Sequence, residues 1–353
     1  MAVSAHRWGL AWLMTAALAC VPLPSVAEGS PAKRPAAGAA PFRLALPIRC
    51  TPGDDCFVQN HVDRDPGPGW RDFACGHLSY DGHKGTDFRV RSLVDMARGV
   101  EVLAAAPGVV VGLRDGEPDV SVRERGSENL RGRDAGNGVR IDHGGGWVTQ
   151  YSHLRKGSVR VRHGQWVRTG HVLGMVGLSG NTEFPHLDFV VRKDGRALDP
   201  YAPATSPPTD APPDCAVGPS ADSLWKPGVV EQLRYRATDV LIAGFAPEEA
   251  DRGKAQRGDY GGAFSPQADA LVFYAESFGA RAGDRERLEV FDPDGRLMFQ
   301  RERGIDGNLA AHFAYIGRKL RDERWPPGTY VGRYRLERDG QVVAAAERSL
   351  TLP

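Results

Sequence analysis

The chain has almost no excess of charge: 45 Lys and Arg stand against 44 Asp and Glu, a formal net charge of +1 over 353 residues. A polyanion binder needs a basic surplus or basic clusters, so no nucleic-acid partner is expected. Beyond the leading residues there is no run of about 20 apolar residues such as a membrane-crossing helix requires, so the mature chain is expected to have no transmembrane segment. Helical periodicity is nearly absent. No C-x2-C pair occurs, which removes a finger-type structural zinc site, and no G-x4-G-K-S/T loop is present to cradle nucleotide phosphates.

What is abundant is turn material. With 43 Gly and 26 Pro, the composition favours short strands and turns over helical bundles, and at roughly 150 residues per domain the length suggests two domains. Residues 1–27 read as a signal peptide: His6 and Arg7 precede the apolar stretch Gly9 to Pro22, and Ser25-Val26-Ala27 supplies a small-x-small cleavage site before Glu28. Cys20 offers the alternative of a lipoprotein cysteine, although Ala stands where a lipobox prefers Leu. Cleavage would remove one charged side chain, Arg7, and leave 44 basic against 44 acidic residues. The expected location is periplasmic or secreted.

Export changes the meaning of the cysteines. Cys50, Cys56, Cys75 and Cys215 would remain, an even count that in an oxidising compartment argues for two disulfides with three connectivities open. Cys50 with Cys56 and Cys75 with Cys215 is the favoured pairing. The first closes a short turn, and the second ties the front of a domain to its end.

Residues 28–41 are Ala-, Pro- and Gly-rich, and 203–213 hold five prolines in eleven residues, the composition of a semi-rigid spacer. Between them lies a first domain, 42–202; after them a second, 214–353. Short β-type runs recur at 101–106, 108–113, 138–142, 147–153, 158–161, 171–176 and 187–192. In the second domain they recur at 270–277, in a hairpin turning at Asp292-Pro293-Asp294-Gly295, and over 329–352 with a turn near Asp339-Gly340. The expected class is all-β: a small antiparallel sheet followed by an immunoglobulin-like β-sandwich.

The chemistry-bearing residues crowd into the first domain. His83 and Asp87 lie four apart in a Gly-containing segment, within reach of one cation, though an isolated H-x3-D pair is usually two polar side chains facing solvent. Further on come Tyr151-Ser152-His153-Leu154 and Phe184-Pro185-His186-Leu187-Asp188-Phe189; on a strand, His186 and Asp188 point to the same side. His61, His77, His163, His171 and His312 fall outside these segments and read as structural or exposed. His143-Gly144-Gly145-Gly146 has the look of an oxyanion loop, but its companion G-x-S-x-G is missing, because Gly177-Leu178-Ser179-Gly180 ends one residue early. Residues 114–135 form a charged insertion that reads as a solvated loop, with a groove-covering role as the alternative.

Taken in order, His83 and Asp87, then Gly136-Asn137-Gly138-Val139-Arg140-Ile141-Asp142-His143-Gly144, then Tyr151 to Leu154, then Gly177 to Thr182 before His186, resemble the lysostaphin-type family of peptidoglycan metalloendopeptidases, with its duplicated hybrid motif fold. The resemblance covers roughly residues 82–200. It implies His83 and Asp87 as ligands of one zinc ion, and His153 and His186 as catalytic groups. Where the family has the second His of its HxH motif, this sequence has Asp188, and the resemblance puts the third ligand there.

A carboxylate can reach zinc at about 2.0–2.2 Å. One imidazole with two carboxylates, however, cancels the dication's charge, whereas two imidazoles with one carboxylate leave it positive. Slower hydrolysis, or a preference for the harder manganese ion, would follow. The expected function is an exported metal-dependent endopeptidase that hydrolyses the peptide cross-links of bacterial peptidoglycan. The alternative is a catalytically impaired relative that binds peptidoglycan or regulates a second cell-wall hydrolase as its partner. The C-terminal domain has no comparable cluster and is expected to orient or target the enzyme without being needed for cleavage.

Overall fold

Strand formation in the first half follows the alternation expected of half-buried β-strands: along residues 137–142 the side chains of Asn137, Val139 and Ile141 point inward while Arg140 and Asp142 face solvent. The computed structural model describes residues 41–203 and 219–353; the expected signal peptide, residues 28–40, Cys20, Cys215 and the Pro-rich stretch beyond Pro203 lie outside the described residues. The strands are β1 (Cys56–Asn60), β2 (Thr86–Val90), β3 (Glu101–Leu103), β4 (Gly108–Arg114), β5 (Asn137–Gly144), β6 (Trp147–Leu154), β7 (Trp166–Val167), β8 (Val172–Met175), β9 (His186–Lys193) and β10 (Arg196–Leu198). Eight of them build one sheet in the order β1-β2-β9-β6-β5-β4-β7, with β10 added beside β9, while β3 and β8 form a separate pair. All of these pairings are antiparallel.

One face of the large sheet is the floor of a core that includes Phe88, Val110, Ile141, Tyr151, Leu187 and Phe189. The segment after the Pro-rich stretch returns to that same core. Leu44 and Trp225 form a bridge, and Leu224, Trp225, Val229 and Leu233 are buried there, the last two on or beside helix 227–232. The expected strand at 158–161 is absent: the Ser158 amide turns back to the Arg155 carbonyl (3.1 Å). A strand that local pattern did not suggest, β2, occupies the H-x3-D segment.

The C-terminal part is two antiparallel sheets. β11 (Asp239–Ala246), β12 (Ala270–Phe278) and β15 (His312–Lys319) form one; β13 (Arg285–Phe291), β14 (Leu297–Gly304), β16 (Gly328–Arg338) and β17 (Gln341–Leu352) form the other. The β13–β14 and β16–β17 hairpins turn where the Pro-Asp-Gly and Asp-Gly signals stand. Leu271, Phe273 and Ala275 from the first sheet meet Leu288, Val290, Tyr334 and Leu336 from the second. A small cluster of Phe57, Leu78, Leu241 and Phe278 joins the two halves, and the described residues form one compact unit. Among the described residues no helix is long and apolar enough to cross a membrane.

Cys50 and Cys56 are joined in a disulfide. Cys75 is also disulfide-bonded, while its expected partner Cys215 lies outside the described residues.

His61 is packed into the first half rather than exposed. Its ring lies 4.9 Å from those of Phe73 and Tyr201, and burial, only partly opposed by Asp72, lowers its pKa to about 4. The unfolded chain takes up a proton near the ordinary histidine pKa and the folded chain does not, so this group makes stability fall as pH drops. The expected loss between pH 7 and pH 5 is about 2 kcal/mol. Urea titrations at both pH values should show that His61→Phe flattens this slope relative to wild type; parallel slopes would remove His61 as its source.

Candidate metal centre and active site

The pairing of β2 with β9 sets Asp87 directly opposite Asp188, and the pairing of β9 with β6 sets Asp188 opposite Ser152. His83 enters from the turn before β2, and His186 starts β9. His83, Asp87 and Asp188 each offer a ligand atom within 4.8 Å of the others, so the spacing read from sequence closes in space. His83 Nε2 lies 3.3 Å from Asp87 Oδ1, and His186 Nε2 lies 3.5 Å from the same oxygen. His83, Asp87, His153 and His186 are buried, and Asp188 is partly so. Beside His83 a cavity of about 470 Å³ opens, lined by Val62, Asp63, Asp65, Lys84 and Arg196 among others.

Whether these residues suit a cation can be judged from their unpaired atoms. Asp87 Oδ2 accepts from Asn60 Nδ2 (2.8 Å), which leaves Oδ1 aimed inward. His83 Nε2, Asp87 Oδ1 and Asp188 Oδ1 are buried and have no hydrogen-bond partner. Buried polar atoms are ordinarily satisfied. Three orphans converging from three residues, one nitrogen and two oxygens, form a donor set suited to zinc. Space is kept for them by Gly85, since a methyl group there would overlap Asp188 Oδ1.

The electrostatics agree with a site built for positive charge. Burial opposes the Asp87 carboxylate, but His83 and His186 outweigh it and hold the group well below the usual carboxylate range. Burial and the neighbouring Asp87 push Asp188 up to about 6. His83 and His186, despite burial, are raised because Asp87 faces both.

The remaining histidine is held differently. β6 carries one extra residue against β5 between Tyr151 and Leu154, a bulge of the kind that re-aims a side chain, and His153 takes a left-handed φ of 62°. Its ring turns so that Nδ1 donates to the Ser179 carbonyl (2.7 Å). Burial and the adjacent His186 bring it down to about 3, so it stays neutral. His186 Nδ1 donates to the Phe184 carbonyl (3.0 Å) with Thr182 Oγ1 alongside (3.1 Å). Both histidines thus commit Nδ1 to a carbonyl and keep Nε2 for the site, and their rings are 4.7 Å apart. Tyr151, by contrast, faces the core, where its hydroxyl accepts from the Ala105 amide (2.8 Å).

Several residues that matter here had no role assigned from sequence. Ser179 receives His153 and also bonds the Leu154 carbonyl (2.7 Å). Asn137, fully buried, donates to the carbonyls of Glu117 (2.8 Å) and Leu154 (3.1 Å). The ring of Tyr80 lies 4.3 Å from that of His83. The Gly-Asn-Gly and Gly-Leu-Ser-Gly segments were the available signal, since such turns let backbone approach backbone. A side chain at Gly136 would strike the Ser179 carbonyl. The charged insertion is less a free loop than a strap: Asp119 accepts from the Leu178 amide (2.9 Å), and the Val122 amide donates to Thr182 (2.9 Å).

The class is therefore an antiparallel β-sheet domain that brings together one imidazole and two carboxylates able to hold a metal ion, with two further histidines beside them. Residues 81–200 match the model of Peptidase family M23. The chain is 33% identical over 117 residues to the peptidoglycan DD-endopeptidase ShyA of Vibrio cholerae, covering 33% of this chain and 22% of that protein. It is 44% identical over 57 residues to the cell division protein DipM of Caulobacter vibrioides, covering 16% and 9%. Among solved structures, a variant of the catalytic domain of the prophage-encoded M23 protein EnpA from Enterococcus faecalis aligns at 20% identity and a TM-score of 0.30, over 48% of this chain and 98% of that one. The lysostaphin catalytic domain from Staphylococcus simulans aligns at 20% and 0.26, over 40% and 85%. The chain spans less than a quarter of the length of the curated relatives it matches.

Gly85→Ala tests the cradle. The added methyl group should displace the Asp188 carboxylate and weaken zinc binding roughly 10- to 100-fold while leaving the fold intact. Competition with a chromophoric chelator reads the affinity; a value equal to wild type would show that Asp188 is not held where the ligand set needs it.

Proposed function

We propose that this protein is an exported metal-dependent endopeptidase that hydrolyses peptide cross-links of bacterial peptidoglycan. In this reading His83, Asp87 and Asp188 hold one zinc ion, with manganese as the competing occupant, and His153 and His186 are the catalytic residues. The observation that carries it is the convergence of three buried ligand atoms without hydrogen-bond partners next to two histidines whose pKa values are shifted in opposite directions. The M23 match and the names of the relatives support the substrate class. A periplasmic or secreted location rests on the leading segment and on that substrate.

When bound, the metal supplies Lewis acidity toward an amide carbonyl and lowers the pKa of water. The protein's own residues divide the proton work. His153, neutral with Nδ1–H fixed on Ser179, presents an Nε2 lone pair that accepts the proton of the attacking water. His186, whose pKa the facing Asp87 raises against the effect of burial, turns Nε2 to the site, and its protonated form would donate from there to the developing oxyanion. Such separation of environments is how neighbouring titratable groups acquire acid and base roles. The carbon–nitrogen bond breaks as the proton taken by His153 passes to the leaving amine.

Asp188 is also the reason for a second reading, a non-hydrolytic member that binds peptidoglycan or regulates another wall hydrolase. The two separate experimentally on cross-linked muropeptides. Wild type should release cleaved peptides and lose that activity to a chelator. His153→Ala should keep its metal and lose about 10²- to 10⁴-fold in rate, and Asp188→Ala should lose both metal and activity. A metal-loaded, inactive wild type that gains cleavage on Asp188→His would contradict the endopeptidase reading and establish the binding one.

A further inference from the structure

We infer that the C-terminal sandwich holds His186 in its working position through a buried ion pair, Arg89–Glu276, so that bond cleavage depends on both halves of the chain. The inference rests on the catalytic role proposed above for His186, and it replaces the expectation that the C-terminal domain is not needed for cleavage.

Arg89 lies on β2, two residues beyond Asp87, and is fully buried. Its Nη1 donates to Gln59 Oε1 (2.6 Å) and its Nη2 to Glu276 Oε1 (3.0 Å). Glu276, on β12 of the sandwich, is equally buried. Its carboxylate also receives Arg252 Nη2 (2.7 Å) and Gln256 Nε2 (2.6 Å), so its acceptor sites are well occupied. A buried ion pair seldom stabilises a fold more than an apolar pair of the same size would, because both charges lose their hydration. What a guanidinium with two fixed acceptors does supply is a plane of defined orientation.

That plane is used. Arg89 Cζ sits 4.5 Å from the centre of the Phe184 ring, and Phe184 touches His186 twice: its carbonyl receives Nδ1 at 3.0 Å, and its ring lies 4.8 Å from the imidazole. Arg89 and His186 are also register partners across β2 and β9. The chain of contact therefore runs Glu276, Arg89, Phe184, His186, and Glu276, Arg89 and Phe184 are positioning residues. No residue of the sandwich needs to reach substrate for the sandwich to govern the reaction.

The test uses the full-length zinc-loaded protein and the variants Arg89→Lys and Phe184→Leu, with Arg252→Ala as a control that touches the same carboxylate from the surface. The imidazole ¹⁵N–¹H correlations of His186 are recorded beside zinc content, kcat and KM. Arg89→Lys keeps the charge and loses the plane. Phe184→Leu leaves the ion pair whole and removes only a half-buried ring, so it carries the test if Arg89→Lys does not fold. In both variants the His186 Nδ1 signal should shift or broaden, with zinc stoichiometry and KM unchanged and kcat lowered between roughly 10- and 100-fold; Arg252→Ala should match wild type. An unmoved His186 signal in a folded variant would overturn the proposal, whatever the rate. A moved signal with unchanged kcat would instead contradict the catalytic role assigned to His186, so the two failures are distinct.

Discussion

Two carboxylates face each other across the β2–β9 pair, and the arrangement of histidines and loops around them depends on that opposition. Asp87 and Asp188 are register partners in a setting where like charges repel strongly and water is scarce, an arrangement that costs stability unless positive charge is supplied. His83 and His186 turn ring nitrogens to Asp87 at 3.3 and 3.5 Å, and the carboxylate raises the pKa of both. The oxygens and nitrogen without hydrogen-bond partners between them form a group that could hold a dication. A metal at this place would resolve a conflict built into the sheet.

The surrounding loops hold the histidines to that centre. Ser179 and Phe184 sit on one connection between β8 and β9, and their carbonyls fix the tautomers of His153 and His186. The same connection is held from the other side by Asp119 and Val122 of the insertion, and from the sandwich through Arg89. His153 tolerates its left-handed backbone because the Ala135 carbonyl takes its amide (3.0 Å) and the Ser179 carbonyl takes its ring. Backbone strain at such a position persists where its surroundings over-determine it.

Much of this was legible in the chain alone. The all-β class followed from Gly, Pro and short alternating runs, and the two C-terminal hairpins turn at the Pro-Asp-Gly and Asp-Gly dipeptides because such turns carry local chemistry. A four-residue spacing links His83 with Asp87 and period-2 alternation links His186 with Asp188, whereas Asp188 as a third ligand is implied only by the resemblance to the family, and it meets Asp87 through the β2–β9 pairing. Long-range pairing was not legible. β2 reads as a Gly-containing polar segment and becomes a strand only because β1 and β9 flank it. Residues 224–233 read as the start of the second domain but bury Leu224, Trp225, Val229 and Leu233 in the first core. The roles of Asn137 and Ser179 needed the bulge in β6, which no local pattern announces, and the Arg89–Glu276 contact joins residues 187 positions apart.

The central claim is that Asp188 completes the metal site as an oxygen ligand while His186 stays outside the coordination sphere. X-ray absorption at the zinc edge of the loaded wild-type protein tests it directly. The account predicts a single imidazole and a majority of oxygen scatterers at about 2.0–2.2 Å. A spectrum with two imidazoles would place His153 or His186 on the metal, contradict the ligand set of His83, Asp87 and Asp188, and remove that histidine from proton transfer.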